Sequence, residues 1–157
     1  MSRAFTKEDD SNSSIDLGER PISMQRNLVT DEGLAMIDAE LAAAHAELAK
    51  GNASADRNMI ARASRDLRYW SARRENAELS HPDPDSDVVR FGMTVTIADE
   101  DDKRQVWKIV GEDEADASHG KISHVSPIAN LMFGKSVGES FVLNGREWEI
   151  VGMDVSL

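Results

Sequence analysis

No cysteine occurs among the 157 residues, which excludes disulfide bridges and thiolate metal sites. Aromatic residues make up only 5% of the chain while charged residues reach 30%, a balance that points to an elongated, surface-rich molecule. No apolar run approaches the ~20 residues that a membrane helix needs. The N-terminus shows no apolar core of a secretory leader, so the expectation is a cytoplasmic protein without a membrane partner. Positive charge is also scarce: 18 Lys and Arg stand against 29 Asp and Glu, a formal net charge of −11. Wrapping of nucleic acid is thereby excluded, since it requires cations to neutralise phosphates. An acidic protein can instead meet the basic surfaces of a nucleic-acid machine. His45, His81, His119 and His124 are scattered without ligand spacing, so neither a metal site nor a catalytic site is expected.

What is present divides the chain into four parts. Residues 1–27 are rich in Ser, Asp, Glu and Arg and show no period, as expected of a disordered or extended tail. Residues 28–80 carry helical periodicity. Thr30 precedes Asp31 and Glu32 as an N-cap precedes a first turn, and Leu34, Ile37, Leu41, Ala44 and Leu48 form a narrow seam. Lys50 and Gly51 are expected to end this helix. A second helix from about Ser54 repeats the spacing with Ile60, Ala63, Leu67, Trp70 and Ala77, interrupted at Arg74. The short "GNAS" between them forces an antiparallel hairpin, a coiled-coil finger. Arg57, Arg62, Arg65, Arg68, Arg73 and Arg74 lie on its second arm, and Asp38, Glu40 and Glu47 on its first. They make either cross-helix ion pairs or a basic stripe facing RNA or an acidic wall.

"HPDPDSD", residues 81–88 in the main, reads as a linker because its prolines cannot continue the helix. In residues 89–157, Val89, Phe91, Met93, Val95 and Ile97 alternate with polar residues as in a half-buried strand. "RQVWKIVG" supplies a second strand, and Asn144-Gly145 has the positive-φ preference of a two-residue hairpin turn. Between them, "ISHVSPIANLMFGKSVGESF" is a strand, a one-to-two-turn helix and another strand. Ser126 can cap that helix, Pro127 suits its first turn and Gly134 can end it. Ile128, Leu131 and Met132 plug one end of a curled sheet. The expected class is α+β: a helical hairpin followed by a small, mainly antiparallel sheet domain with one short helix.

The segment "ISHVSPIANLMFGKSVGES" resembles the C-terminal signature of the Gre family of bacterial transcription elongation factors, "I-x-x-x-SP-x-A-x-x-L-x-GK-x-VGD". Ser126, Pro127, Ala129, Gly134, Lys135, Val137 and Gly138 match, and Glu139 stands where Asp is usual. "IVGEDEAD" is similar to the family's "IVG-x-DEAD", and "LVTDEGLAMIDAEL" to the opening of its coiled coil. The resemblance implies a C-terminal domain similar to FK506-binding proteins (FKBP-like) that docks on bacterial RNA polymerase beside its secondary channel. It also implies a coiled coil that enters the channel. Docking would then involve Ser126, Pro127, Ile128, Ala129, Leu131 and Lys135, with channel or RNA contacts from Arg57, Arg62, Arg65 and Arg68. Nucleic acid would be met only through the transcription complex, by a monomer that is a regulator and not itself an enzyme.

The departure from the family lies at the finger tip. Cleavage-stimulating members carry paired acids there, in "D-x-x-ENA[ED]Y", to help hold a Mg²⁺ in the polymerase active site. Here the similar "RRENAEL", Arg73 to Leu79, falls at the base of the second helix, and the tip "KGNASADRN" holds Asp56 alone. The arms are also shorter than the family's by about nine residues each, or ~13 Å of reach. The chain needs no cofactor of its own, and the polymerase's Mg²⁺ becomes relevant only if cleavage is stimulated. The alternatives are a non-cleaving channel competitor resembling the short-fingered nucleoside diphosphate kinase regulator and, more distantly, a peptidyl-prolyl isomerase. The latter wants a deep aromatic pocket, whereas this domain offers only Phe91, Trp107, Phe133, Phe141 and Trp148.

Overall fold

The computed structural model describes residues 18–155; most of the expected tail, residues 1–17, lies outside the described residues. Two compact units emerge. The first, within residues 18–24 and 35–76, holds the helical hairpin. Helix α1 spans Asp31–Ser54 and α2 spans Arg57–Glu75. Thr30 caps α1 as expected: its hydroxyl accepts from Gly33 N at 3.0 Å and its carbonyl from Leu34 N at 2.9 Å.

The seam is as narrow as the spacing predicts. Ile37 and Ala44 of α1 and Ala63 and Trp70 of α2 are buried, with Leu41, Leu48, Ile60 and Leu67 half-buried. The expected end of α1 is corrected: the helix runs through Gly51 to Ser54. A Cβ at Gly51 would stand 3.0 Å from Ile60 Cγ1 and 3.1 Å from Ile60 N. Glycine there permits the close approach of α2 instead of ending α1. The chain reverses at Ala55, which takes φ 53°, and Asp56 starts α2. The seam's continuation is corrected too. Arg73, three residues after Trp70, is buried at 1% exposure, so a guanidinium occupies the place where the apolar pattern breaks.

The second unit comprises residues 25–34 and 77–155 of those described. A two-stranded parallel sheet pairs β1 (Asn27–Val29) with β2 (Ala77–Leu79), an element with no periodic signal in the sequence. The main sheet has strands β3 (Thr94–Ala98), β4 (Arg104–Val110), β5 (Lys121–Ser123), β6 (Ser140–Leu143) and β7 (Arg146–Asp154), in the order β5-β4-β3-β7-β6. Its pairs are antiparallel except β4–β5, which is parallel. The expected strand from Val89 forms only at Thr94. Gly92 takes φ 87°, and Val89 instead bonds the exit of the short helix, donating to Lys135 O and accepting from Gly134 N. A register shift at Thr96/Ile97 opposite β7 bends the sheet. Asn144 and Gly145 take φ 53° and 76°, the pair of positive values that a type I′ turn demands.

The core of this unit is made by Val95, Ile97, Ile109 and Ile150 from the strands, with Phe141 and Trp148. Helix α3 (Pro127–Met132) closes it by burying Ala129 and Met132 completely. Burial of side chains of this size is the main source of the unit's stability, about 1.5–3 kcal/mol for each large aliphatic residue.

Candidate functional site

Helix α3 is displayed by the turns that bracket it. Ser126 takes an extended backbone, φ −68° and ψ 154°, and its hydroxyl accepts from Ala129 N at 3.3 Å. Pro127 occupies the first turn, where a missing N–H is harmless. At the other end Phe133 N bonds Ala129 O at 3.0 Å, and Gly134 reverses the chain at φ 78°. Two faces result. Ala129 and Met132 point into the core, while Pro127 and Asn130 are exposed and Ile128, Leu131 and Lys135 half-exposed. Beyond the helix Val137 is 55% exposed, extending the apolar edge. Glu139 Oε2 accepts from Ser136 N at 2.7 Å and pins this loop. Of the six residues singled out from the sequence, five therefore reach the surface around α3. Ala129 does not; it seats the helix.

The "EDEAD" run contributes a buried carboxylate that the sequence did not mark. Glu114 accepts from Thr30 Oγ1 at 2.5 Å and lies 3.5 Å from Lys121 Nζ, with its side chain 5% exposed. Nearby, Gly111 lies so close to Leu28 O that no Cβ would fit between them. Residues 25–34 are thus an integral part of the sheet unit, held by a hydrogen-bonded acid and a close backbone approach. The exposed rim adds Arg26 and Glu78, 2.9 Å apart; the hydrogen bond from Arg26 holds the Glu78 carboxyl below its usual range.

In the β3–β4 turn, Asp99 Oδ1 accepts from Asp101 N and Lys103 N at 2.9 Å each, and Oδ2 from Arg146 at 3.0 Å. Burial pushes its pKa up, but these hydrogen bonds and the Arg146 charge outweigh it and hold the carboxyl below its ordinary value. Asp116 is depressed as well, by hydrogen bonds from Ser118 and His119.

The hairpin places its named residues apart from any such assembly. Asp56 Oδ1 accepts from Met59 N at 3.1 Å, so it is the N-cap of α2. Glu75 and Asn76 stand at the opposite end of α2, about 28 Å away along a helix of 19 residues. They are well outside the tip, as the spacing indicates. Arg74 pairs with Asp38 of α1 at 2.7 Å, Arg68 with Glu19 at 2.6 Å, and Arg65 with Asp66 at 3.4 Å. Arg57 and Arg62 are exposed. Among the described residues no group of three or more His, Cys, Asp or Glu side chains could hold a metal ion, and no helix is long and apolar enough to cross a membrane.

Residues 83–153 match the family model described as "Transcription elongation factor, GreA/GreB, C-term". The chain is similar to the transcription elongation factor GreA of Rhodopseudomonas palustris, 58% identical over 55 residues, covering 34% of this chain and 35% of that protein. It is also similar to GreA of Brucella anthropi, 46% identical over 72 residues, covering 43% and 46% respectively. The chain thus spans about a third to a half of the length of these curated relatives. Among solved structures, GreA factor homolog 1 of Thermus thermophilus is similar at 19% identity and a TM-score of 0.40, covering 82% of this chain and 99% of that one. The matched segment runs from before β3 into β7 and includes α3, and over this segment the chain is similar to the C-terminal domain of the GreA/GreB transcription elongation factors.

Proposed function

We propose that the protein binds bacterial RNA polymerase through the surface around α3 and regulates elongation from the secondary channel, with little or no stimulation of RNA cleavage. The observation that carries docking is the two-faced α3. Ala129 and Met132 are committed to the core and Ile128 and Leu131 pack partly against it, while the exposed parts of Ile128 and Leu131, with Pro127, Val137 and Lys135, give the composition of a small protein-binding patch. Ser126 and Gly134 hold that patch rigid, so little ordering cost accompanies binding. The polymerase, not this chain, performs any chemistry, and the partner surface is protein.

The tip supports the second half of the reading. Paired acids are needed to complete a hard-cation site, and Asp56 is single and occupied by Met59 N. The protein therefore acts as a non-cleaving occupant of the channel. In a transcript-cleavage assay on stalled complexes, the protein alone is expected to add little, and an excess is expected to reduce cleavage stimulated by a full-length Gre factor. Asp56→Asn should leave that competition intact. Robust cleavage by the native chain that disappears in Asp56→Asn contradicts the non-cleaving reading.

A further inference from the structure

Strand β6 is an edge of the main sheet and pairs with β7 alone. The register is Ser140↔Glu149, Phe141↔Trp148, Val142↔Glu147 and Leu143↔Arg146. A two-residue turn makes Leu143 and Arg146 a hydrogen-bonded pair, and such pairs alternate along an antiparallel ladder. Phe141 therefore bonds Trp148, while the N–H and C=O groups of Ser140 and Val142 point away from β7. The bonds just before the strand keep this phase: Ile150 N donates to Glu139 O at 2.9 Å and Gly138 N to Ile150 O at 2.8 Å. Ser140 is exposed and Val142 is 62% exposed. Their backbone groups form an edge open to an added strand.

The sheet face beside this edge is acidic. Phe141 and Trp148 are buried in the core, so Ser140, Val142, Glu147 and Glu149 share the outer face. Ser140, Glu147, Glu149 and Val151 line one open groove there. Each glutamate stands one strand inward, behind a small side chain at the edge. The cations nearby are already engaged: Arg146 lies 3.0 Å from Asp99 and Arg104 lies 3.4 Å from Asp102. An added strand would run about 4.8 Å outside β6, its backbone about 10 Å from that of β7. The long stems of Lys and Arg can cross Ser140 and Val142 over that span and keep their charged heads in water. A second copy of β6 offers no such cations and brings a formal net charge of −11 with it. Charge thus favours a basic segment over self-pairing.

We infer that the open edge of β6 binds an extended basic segment of a partner protein by strand addition, with Lys or Arg at alternate positions crossing Ser140 and Val142 to pair with Glu149 and Glu147. The site is on β6 and does not rest on docking through α3. Its test contains no polymerase, so its failure leaves that reading standing.

The test uses the full chain and a fluorescent peptide with the alternating core Lys-Val-Lys-Val-Lys, read by anisotropy. A peptide of the same composition with its lysines adjacent controls for plain charge attraction. The alternating peptide should bind about three- to tenfold more tightly than the control, the scale of two surface ion pairs. Glu147→Gln/Glu149→Gln should remove that advantage. Glu40→Gln/Glu47→Gln, which takes the same charge from the hairpin, should leave it unchanged. Thermal denaturation checks that both variants are folded. Strand addition itself is read with two further peptides, N-methylated at every lysine or at every valine. Only one of these sets of amides can face β6, so one peptide should lose binding and the other keep it. Equal affinity for the alternating and control peptides, equal loss in the two double variants, or equal binding by the two methylated peptides overturns the inference. Dimerisation of the wild-type chain that Val142→Pro abolishes assigns the edge to a second copy and overturns it as well.

Discussion

In the helical hairpin the buried side chains are Ile37, Ala44, Ala63, Trp70 and Arg73, of which two are alanines and one carries charge. In the sheet unit, Met93, Val95, Ile97, Ile109, Met132 and Ile150 are all fully enclosed. A hairpin of two helices can bury only the facing stripe of each, and helices of this length draw most of their stability from such packing. A curled sheet closed by α3 buries residues from five strands and a helix. The hairpin thus rests on few contacts, some of them replaceable, while the sheet unit rests on a continuous core that fixes the α3 surface.

Core truncation breaks the comparison most forcefully. Ile150→Ala should cost about 2–5 kcal/mol, because its fully enclosed site cannot refill. Leu67→Ala, at a half-buried seam position, should fall at or below the low end of that range. Thermal denaturation of both variants measures the difference, and circular dichroism should show that Leu67→Ala loses helix before sheet. Equal costs would mean that the seam is packed as tightly as the core.

Glu114 asks whether residues 25–34 are as integral to the sheet unit as their contacts indicate. Glu114→Ala leaves Thr30 Oγ1 without its acceptor and should cost about 1–3 kcal/mol. Glu114→Gln keeps an oxygen acceptor for Thr30 Oγ1 and leaves the Thr30 cap of α1 intact, so it should cost less than Glu114→Ala. Urea denaturation of the two variants gives the ordering.

Helix caps provide a finer comparison between the units. Asp56→Ala and Ser126→Ala each remove a side-chain acceptor from a helix N-terminus, a loss of about 1 kcal/mol. The first should lower helicity and the second should instead loosen the α3 surface, seen as faster amide exchange at Ala129.

The smallest expected effect is on acid stability. The folded-state pKa of Asp99 is depressed by the Lys103 and Asp101 N–H groups and by Arg146, against the opposing effect of its burial. Its stabilising contribution is complete above the usual carboxylate pKa of about 4 and is lost as pH falls through the lower folded value. Asp99→Asn should therefore flatten the acid limb of the stability curve of the sheet unit and leave that of the hairpin unchanged.

The sequence disclosed what local rules control. The seam, the Thr30 cap, the Ser126–Pro127 entry to α3 and the Asn144–Gly145 turn follow from side-chain chemistry within a few residues. What it concealed depends on partners far along the chain. Gly51 looks like a helix end, yet it makes room for Ile60. The β1–β2 pairing joins three-residue strands about 50 positions apart, too short for any period to show. Glu114 reads as one more acid in an acidic run, and only folding places it against Thr30. Similarly, Glu19 and Arg20 belong by composition to the tail, although they meet α2. At the candidate site, the ends of α3 were legible because a capped helix has a sequence signature. The inward turn of Ala129 follows only from the three-dimensional packing of α3 on the sheet.

Binding of the full chain to bacterial core RNA polymerase, compared between wild type and Ile128→Asp, tests the central claim most directly. Ile128 is half-exposed on α3 and also packs against the core, so the variant places a charge in the apolar patch at some cost in stability, and its thermal transition shows that it remains folded at the temperature of the binding measurement. The account predicts that polymerase binding falls at least tenfold while Asp56→Asn binds as wild type does. Equal binding by a folded Ile128→Asp, or loss of binding in Asp56→Asn, would contradict docking through the α3 surface.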